Sequence, residues 1–296
     1  MTWSLFRWTW QLESPLYVGM PPSGSLNRCR LYVPARALWG AVTAEIARAK
    51  AQNRFANYKD VGSKIQGHVR FTYLFPAERS GNEWHAWLPR YVEDKGLVWQ
   101  REDATHHELS DRQLRMRLLS TRPSTAIEPS SDTAAEGSLR ETECMNTWWR
   151  DREGKPGGPV GLVGYVFLHA DLEKGIRDRL EQLELIMVGG DTRYGLGRLR
   201  RLTKITPPGD VFGCKVDLAK KDPEVETERV LAHAELNAKA QPQLCGNLEL
   251  LRGWDYGKSD HRGAEIPPWV PGSASGAAYL WRINASGHWS LSSDAT

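Results

Sequence analysis

The sequence predicts an α+β protein whose centre is a ferredoxin-like βαββαβ domain that carries long insertions. Three observations support this fold class. An alternating apolar segment, an amphipathic helix and a second apolar segment follow one another within residues 3–75. The same strand–helix–strand order returns within residues 160–205. There a glycine-rich turn separates the helix from a basic strand, so the two units supply the four strands and two helices of such a domain.

The first unit begins with residues 3–12, where apolar residues alternate with polar ones as in a half-buried strand. The alternation changes phase between Leu5 and Phe6, so we expect a bulge or a twist there. A helix is expected over residues 35–51, because apolar residues recur along it at helical spacing. A second strand is expected over residues 69–75. The buried stripe of the helix is predicted to be Leu38, Val42, Ile46 and Ala49.

Two insertions are expected between the units. Residues 76–118 carry mixed charge and scattered aromatic residues, with short strands expected at 84–88 and 97–99. The second insertion covers residues 119–145; within it, residues 120–137 are rich in serine, threonine, proline and alanine and show little buried periodicity. Long segments of this kind in compact domains are often functional, and we expect a thumb-like hairpin here.

The second unit starts with an apolar strand over residues 160–168. Asp171 can cap the helix that follows it, and a basic strand over residues 196–205 closes the unit. Further along the chain we expect a helix over residues 224–240 and a hairpin within residues 277–291. The apolar stripe of the helix that Asp171 caps is predicted to be Leu172, Ile176, Leu180, Leu183 and Met187.

A Pro-Pro-Gly break at residues 207–209 divides the pattern. We therefore assign residues 1–206 to the ferredoxin-like domain, which contains both insertions. Residues 207–296 are expected to form a C-terminal extension, or a second degenerate ferredoxin-like half that packs on the first. The chain of 296 residues is long enough for either arrangement.

Residues 189–201 concentrate four glycines and four arginines in one stretch. Glycine permits positive φ angles and lets a neighbouring backbone approach closely. Arginine offers a planar, permanently charged group that suits phosphate. The stretch indicates either a seat for a polyanion or a tight turn followed by a solvated basic strand, and these residues alone leave both interpretations open. A dinucleotide site is not favoured, because Gly195-x-Gly197 lacks a third glycine and precedes a strand.

The composition is that of an ordinary globular protein, and its formal net charge of +3 is too small to establish a nucleic-acid partner. The four cysteines lie far apart without a Cys-x-x-Cys pair, which argues against a zinc ribbon or a disulfide framework. We expect neither a metal nor a cofactor. No apolar run approaches the ~18 residues of a membrane helix, and the N-terminus is unlike a signal peptide. A cytoplasmic protein without membrane contact is therefore expected.

Four stretches, at residues 14–19, 32–41, 124–143 and 189–201, resemble motifs of the RAMP superfamily of CRISPR-associated proteins. The first reads Ser-Pro-Leu-Tyr-Val-Gly, and the second runs from Tyr-Val-Pro into the first predicted helix. The third is similar to the thumb region of Cas7-like subunits, and the fourth to the glycine-rich loop of the family. The resemblance is to a Cas7-like or Cas5-like subunit of a type III effector complex, and it covers the chain poorly after residue 207.

This resemblance implies an RRM-type ferredoxin fold that binds crRNA in a multisubunit complex, with target RNA and Cas7-like and Cas10-like subunits as further partners. The glycine-rich loop and the start of the first helix would hold the guide backbone, and the thumb would contact the guide–target duplex. The expected RNA-binding residues are Gly189, Gly190, Arg193, Tyr194, Gly195, Gly197, Arg198, Arg200, Arg201, Arg28 and Arg36. The expected thumb residues are Thr125, Ala126, Ile127, Glu136, Gly137 and Leu139.

Target-cleaving Cas7-like relatives carry an aspartate in the loop that precedes the first helix. Residues 20–30 of this chain contain neither Asp nor Glu, so the resemblance implies a non-catalytic structural subunit with no catalytic residue. The same absence favours a Cas5-like or end-capping Csx10-like subunit over a repeating Cas7-like backbone subunit.

Two enzymatic alternatives stay open. One is a target-RNA-cleaving Cas7-like subunit. The other is a Cas6-like metal-independent endoribonuclease, which would process precursor crRNA with a histidine base. The histidines weighed for that role all lie outside the first predicted helix and the loop before it; they are His68, His85, His106, His107 and His169.

The thirteen tryptophans are expected to lie mainly in the core. Trp8, Trp10 and Trp39 fit inward-facing positions of a strand or a helix. Trp148, Trp149 and Trp269 stand in less regular segments, so they are better candidates for packing on a neighbouring subunit or on bases. Core or subunit contact is the favoured interpretation of the three.

Overall fold

The chain folds as a mixed α/β protein in which strands predominate, in agreement with the predicted α+β class. A computed structural model describes residues 2–51, 55–151, 153–202, 209–235, 243–255, 260–263 and 267–292. Within these residues, no helix is long and apolar enough to cross a membrane. The helices are α1 Ala35–Ala51, α2 Tyr58–His68, α3 Asp111–Leu118 and α4 Lys174–Gln182.

Strands run through the whole length of the chain, including both predicted insertions and the C-terminal part. In chain order they are β1 Trp3–Leu12, β2 Leu26–Asn27, β3 Val69–Phe71, β4 Phe75–Ser80, β5 Glu83–Val92, β6 Gly96–Arg101, β7 Ala104–Ser110, β8 Leu119–Ser124, β9 Ile127–Glu128, β10 Thr133–Ala134, β11 Arg140–Met145, β12 Trp148–Arg150, β13 Pro156–Pro159, β14 Gly161–His169, β15 Leu185–Met187, β16 Arg198–Arg201, β17 Val216–Asp217, β18 Glu224–Arg229, β19 Ala234–Glu235, β20 Arg252–Asp255, β21 Asp260–Gly263, β22 Ala274–Ile283 and β23 Trp289–Leu291.

The main sheet brings the two predicted strand–helix–strand units together. Among the described residues it has nine strands in the order β15-β16-β1-β14-β4-β5-β6-β7, with β3 also paired to β14. β1 lies near its centre and is antiparallel to both β14 and β16. In the chain, α1 lies between β1 and β3, and α4 lies between β14 and β15; α1 packs against α4, β3 and β15. The first insertion extends this sheet through β5, β6 and β7.

β1 is covered on both of its faces. Trp3 and Leu5 are buried on one face, whereas Trp8 and Trp10 are buried on the other, so the predicted change of phase is present. The register of β1 with β14 runs without interruption, so the change does not come from a bulge. It arises because different layers cover the two ends of the strand. The Trp3 indole N–H donates to the Lys221 carbonyl at 3.2 Å, so the C-terminal part of the chain covers the start of β1.

The two predicted helices of the sheet differ in how well their limits were predicted. α1 covers the predicted residues, although Ala49 is exposed and Ala47 takes its buried place. The second helix was predicted to keep its stripe as far as Met187, and this is wrong. α4 ends at Gln182, because Met187 and its neighbours pair with β16 as the strand β15.

The C-terminal part forms a second sheet with the strand order β17-β18-β22-β23-β19. The predicted hairpin is present as β22 and β23, and Trp281, Ile283 and Trp289 are buried in this sheet. The helix predicted over residues 224–240 is wrong for residues 224–229, which form β18 because their alternating side chains fit an antiparallel strand. The end of that predicted helix, residues 236–240, lies outside the described residues.

A buried polar network joins the two sheets. His233 is fully buried; its Nδ1 lies 2.7 Å from the Tyr73 hydroxyl and its Nε2 lies 3.1 Å from a Glu249 carboxylate oxygen. The other Glu249 oxygen pairs with the Arg30 guanidinium. A carboxylate only accepts, so Nε2 carries the hydrogen and Nδ1 accepts from Tyr73. Burial lowers the pKa of His233, in spite of the hydrogen bond to Glu249, and the ring is neutral at neutral pH.

Acidification is expected to weaken the protein through His233. The pKa of the folded state lies below the unfolded value of ~6.5, so the stabilisation is complete above that value and is lost as the pH falls below it. Between pH ~7.5 and ~5.5 this group alone removes at most about 1.4 kcal/mol from the free energy of unfolding. Urea unfolding should show a smaller loss in His233→Gln than in wild type, with His106→Gln on an exposed strand as the control. Equal losses in wild type and His233→Gln would contradict this account.

Candidate functional site

The glycine-rich loop, residues 188–197, connects the strands of a β-hairpin. It was expected to follow a helix directly, but β15 intervenes between α4 and the loop. The base of the loop is closed by the Val188 N–H, which donates to the Gly197 carbonyl at 2.8 Å. Its tip is a single 3₁₀ turn, Thr192–Tyr194, flanked by Asp191 and Gly195 in the left-handed region. The loop therefore has a defined backbone conformation.

Two of its glycines are required by close packing. A Cβ atom at Gly189 would lie 2.2 Å from the Tyr17 carbonyl oxygen, and one at Gly197 would lie 1.9 Å from the Val188 carbonyl oxygen. Both residues also have positive φ, 85° and 80°. The interpretation of this stretch as a tight turn thus explains these glycines in full. It does not explain the exposed arginine and tyrosine at the tip.

The loop is fastened to the segment that follows β1. The Gly197 N–H donates to the Pro15 carbonyl at 2.8 Å, and the Gly190 N–H donates to the Tyr17 carbonyl at 2.9 Å. Leu16 lies between these two acceptors and exchanges both backbone hydrogen bonds with Met145 at the end of β11, at 3.0 and 2.8 Å. The structure thus brings the first and fourth stretches together and places beside them the end of β11, two residues beyond the third stretch.

A groove of about 670 Å³ opens beside this junction. One wall is a face of α1 made of small residues at helical spacing, and the other is the glycine-rich loop with the segment after β1. Arg48 and Arg193 bring positive charge to it, and among the described residues no carboxylate or histidine lines it. Its lining residues are Val18, Gly19, Ala37, Gly40, Ala41, Ala44, Arg48, Met187, Gly189, Thr192 and Arg193. Such a groove can bind an extended anionic chain close to the protein backbone.

The arginines of the basic stretch occupy three different environments. Arg193 is exposed and has no hydrogen-bond or ion-pair partner among the described residues, and Tyr194 beside it is 73% exposed. Arg198 donates from Nε to a Glu13 oxygen at 2.7 Å, and Arg200 pairs with the other oxygen of the same carboxylate. Arg201 donates to the Leu180 carbonyl at 3.0 Å and to the next carbonyl, at the C-terminal end of α4. It caps that helix, and burial lowers its pKa.

Arg28 and Arg36 do not line the groove. Arg36 lies at a separate cleft with Trp39, Gln66 and the turn at residues 285–287. Burial acts to raise the pKa of the Glu249 carboxyl, but the hydrogen bond from His233 and the charge of Arg30 lower it by more. Arg28 lies close enough to Glu249 for its charge to add to this lowering. At the start of α1, the Ala37 and Leu38 N–H groups donate to the Pro34 carbonyl at 3.0 and 3.2 Å. These two amides are therefore not free to bind a phosphate.

Arg48 is the groove residue that the sequence interpretation missed. It lies four residues after Ala44 and eight after Gly40, on the same face of α1. A stripe of small residues that ends in an arginine is the signal that could have revealed it. Its guanidinium donates to the Glu45 carboxylate at 2.6 Å and its Nε donates to the Ala44 carbonyl at 3.2 Å.

The second insertion is a projecting hairpin. β8 and β11 pair from Leu119↔Met145 to Ser124↔Arg140, and β9 and β10 continue it to the tip. At the junction, the Ala126 N–H and the Thr125 hydroxyl both bond the Ser138 hydroxyl, at 3.1 and 2.6 Å. Gly137 has positive φ, and Glu136 beside it is exposed. The hairpin thus has the extended form that the sequence predicts.

The hairpin carries both apolar and acidic groups. Ile127 and Leu139 are 58% and 65% exposed. Three acids and no basic residue lie between residues 124 and 138, namely Glu128, Asp132 and Glu136. The Arg140 guanidinium pairs with the Asp191 carboxylate at 2.7 Å, which ties the base of the hairpin to the glycine-rich loop. The exposed apolar side chains can pack on bases or protein, whereas the acidic tip repels phosphate.

The side chains that could carry catalysis are dispersed. Among the described residues, no group of three or more His, Cys, Asp or Glu side chains could hold a metal ion. Burial raises the pKa of Cys29 to about 12, so it is an unreactive thiol. His106 and His107 lie exposed on the edge strand β7, and His169 accepts the Asp171 N–H at 3.1 Å. The acid-free loop at residues 20–30 does receive a carboxylate, since Glu143 accepts the Cys29 N–H at 3.0 Å.

The chain was compared with known proteins. No protein-family model matches it, and no curated protein matches its sequence. Its backbone is similar to a chain in the cryo-EM structure of Type III-B Cmr-beta bound to cognate target RNA and AMPPnP, with a TM-score of 0.56 at 12% identity. The match covers 91% of this chain and 85% of that chain. The likeness is one of fold. A second Type III-B Cmr-beta structure, bound to cognate target RNA, gives a TM-score of 0.54 at 12% identity over 91% and 86% of the two chains.

Gly195 and Gly197 provide a matched pair for testing the packing of the loop. Both have positive φ, but only Gly197 faces a backbone atom at the Cβ position, whereas Gly195 faces open space. Gly195→Ala is expected to lower the free energy of unfolding by about 1–2 kcal/mol. Gly197→Ala adds a backbone displacement, and the expected loss is roughly 3–5 kcal/mol. Urea unfolding of the two variants measures the difference, and equal losses would show that the close approach at Gly197 is absent.

Proposed function

We propose that this protein is a non-catalytic, crRNA-binding structural subunit of a type III-like CRISPR effector complex. The observation that carries the proposal is the groove between α1 and the glycine-rich loop. The first, second and fourth stretches that resemble RAMP motifs contribute residues to its lining, and the third is tied to the fourth by the Arg140–Asp191 ion pair. The fold likeness to chains of Type III-B Cmr-beta structures supports the same assignment.

A ferredoxin-like core of the RRM type is part of this proposal. The strand order β16-β1-β14-β3/β4, with α1 and α4 as the connections, supports it because all neighbouring pairs are antiparallel and the helices pack together. We propose residues 1–206 as this domain with its two insertions. The second sheet, with no helix in the described residues after 209, favours a C-terminal extension over a complete second half.

The groove would hold the guide by its backbone. Small residues on α1 let the sugar–phosphate chain approach the helix, and Arg193 and Arg48 offer charge without reading bases. Tyr194, exposed beside Arg193, can stack on a base, since every base has a π face. Such a site accepts any guide sequence, as a guide-binding subunit requires.

The projecting hairpin would serve as the thumb toward the guide–target duplex. Its exposed Ile127 and Leu139 can pack against base steps, and the Arg140–Asp191 ion pair fixes its base to the loop that holds the guide. The acidic tip favours placement away from phosphates. The guide thus meets arginines in the groove, and the guide–target duplex meets apolar side chains on the hairpin.

Contacts with Cas7-like and Cas10-like subunits would use other exposed surfaces. Trp148 is 51% exposed, whereas its neighbour Trp149 is buried and donates from its indole to the Ala77 carbonyl at 3.1 Å. Met116 on α3 is 64% exposed, and its carbonyl accepts from Arg150, two residues after Trp148. Tryptophan, methionine and arginine are enriched at protein interfaces.

Arg193→Ala tests the groove. Because Arg193 has no partner among the described residues, its loss removes charge without breaking an internal contact. We expect binding of a fluorescein-labelled single-stranded RNA to weaken about three- to tenfold, with little dependence on RNA sequence. The negative slope of log affinity against log salt should become shallower by about 0.7. Fluorescence anisotropy between ~50 and ~200 mM salt measures both quantities.

Arg112→Ala is the matched control, since Arg112 is an exposed arginine on α3 and it too has no partner among the described residues. It changes the net charge by the same amount and should leave affinity and slope near the wild-type values. Equal effects of the two substitutions would contradict a specific role of the groove and would indicate diffuse electrostatic binding.

A further inference from the structure

Glu13 follows β1 directly and lies across from the basic strand β16. The register of the two strands pairs Leu12 with Leu199, and the Glu13 N–H donates to the Arg198 carbonyl at 2.9 Å. The two oxygens of its carboxylate each take one guanidinium, that of Arg198 at 2.7 Å and that of Arg200. Both arginine side chains are about half exposed, and that of Glu13 is 26% exposed.

These arginines lie beside the groove. Arg198 is the direct cross-strand partner of Met187, a groove-lining residue. Residues that face each other across an antiparallel pair point to the same side, and so do residues two apart on one strand. Arg198 and Arg200 therefore lie on the face of β16 opposite Leu199 and Arg201, on the strand that follows the loop carrying Arg193.

The Glu13 carboxylate occupies the position that a phosphate would take. It binds the Nε donors of both arginines, and hydrogen bonds from Arg200 and then Arg198 hold the pKa of Glu13 below its usual range. The group is therefore ionised throughout the neutral range. Exposed ion pairs of this kind contribute little to stability, so a phosphate can displace the carboxylate. The displaced charge nevertheless stays nearby and repels the phosphate that replaced it.

We infer that Glu13 is an internal competitor for RNA phosphates, which attenuates binding at Arg198 and Arg200. This inference rests on the proposed function and adds to it an element of regulation. Binding at these two arginines is then an exchange of one anion for another. RNA that is anchored at Arg193 can make the exchange, whereas a weakly held polyanion gains little from it.

Glu13→Gln tests the competitor, because glutamine keeps the shape of the side chain and removes its charge. With the full chain and a fluorescein-labelled single-stranded RNA, the expected result is about three- to tenfold tighter binding at ~50 mM salt. The salt slope should become steeper by up to about 1.4, the contribution of two further phosphate contacts. In an Arg198→Ala/Arg200→Ala background the same substitution should have no effect.

Glu153→Gln serves as the control for net charge. Glu153 is an exposed acid paired with Lys155 at 2.7 Å, on the turn between β12 and β13, and its substitution should leave affinity and slope unchanged. The inference is overturned if Glu13→Gln binds no more tightly than wild type, or if its gain persists without Arg198 and Arg200. A wild-type chain that fails to bind RNA overturns the proposed function itself, whereas wild-type binding that Arg193→Ala weakens and Glu13→Gln leaves unchanged overturns only the competitor.

Discussion

The close approach between the glycine-rich loop and residues 15–19 is the constraint on which the site depends. Two backbone hydrogen bonds, from Gly197 to Pro15 and from Gly190 to Tyr17, fix the distance between these segments. No room remains for a Cβ atom at Gly189 beside the Tyr17 carbonyl, and within the loop none remains at Gly197 beside the Val188 carbonyl. This contact holds the β15–β16 hairpin beside β1 and leaves the groove open between the loop and α1. The tight turn is therefore compatible with the proposed phosphate-binding role of the loop, since the turn is what positions the tip.

The four arginines of the basic stretch have different partners, which the net charge of the chain does not show. Arg201 caps α4, Arg198 and Arg200 share the Glu13 carboxylate, and Arg193 faces solvent. Only the last is ready to bind an anion without breaking an internal contact. The affinity of the site should therefore depend on a few positions and on the exchange of anions at its edge. The acidic tip of the hairpin carries the opposite charge.

Local patterns were enough to predict two of the elements that position the site. The spacing along residues 35–51 predicts α1, and the alternation along residues 3–12 predicts β1, because each is largely determined by its own periodicity. Partners far apart in the sequence account for what was missed. Pairing with β16 converts residues 185–187 into a strand, and the second sheet makes residues 224–229 a strand. Glu13 acquires its contacts with Arg198 and Arg200 only when distant segments meet.

Crosslinking of the full chain to a photoreactive single-stranded RNA, followed by mass spectrometry of the crosslinked peptides, tests the central claim most directly. The account predicts crosslinks concentrated in three segments, residues 17–20, 37–48 and 187–194, which are separated in sequence and meet only at the groove. Crosslinks confined to the edge strand β7 or to the second sheet, with these three segments unmodified, would contradict it.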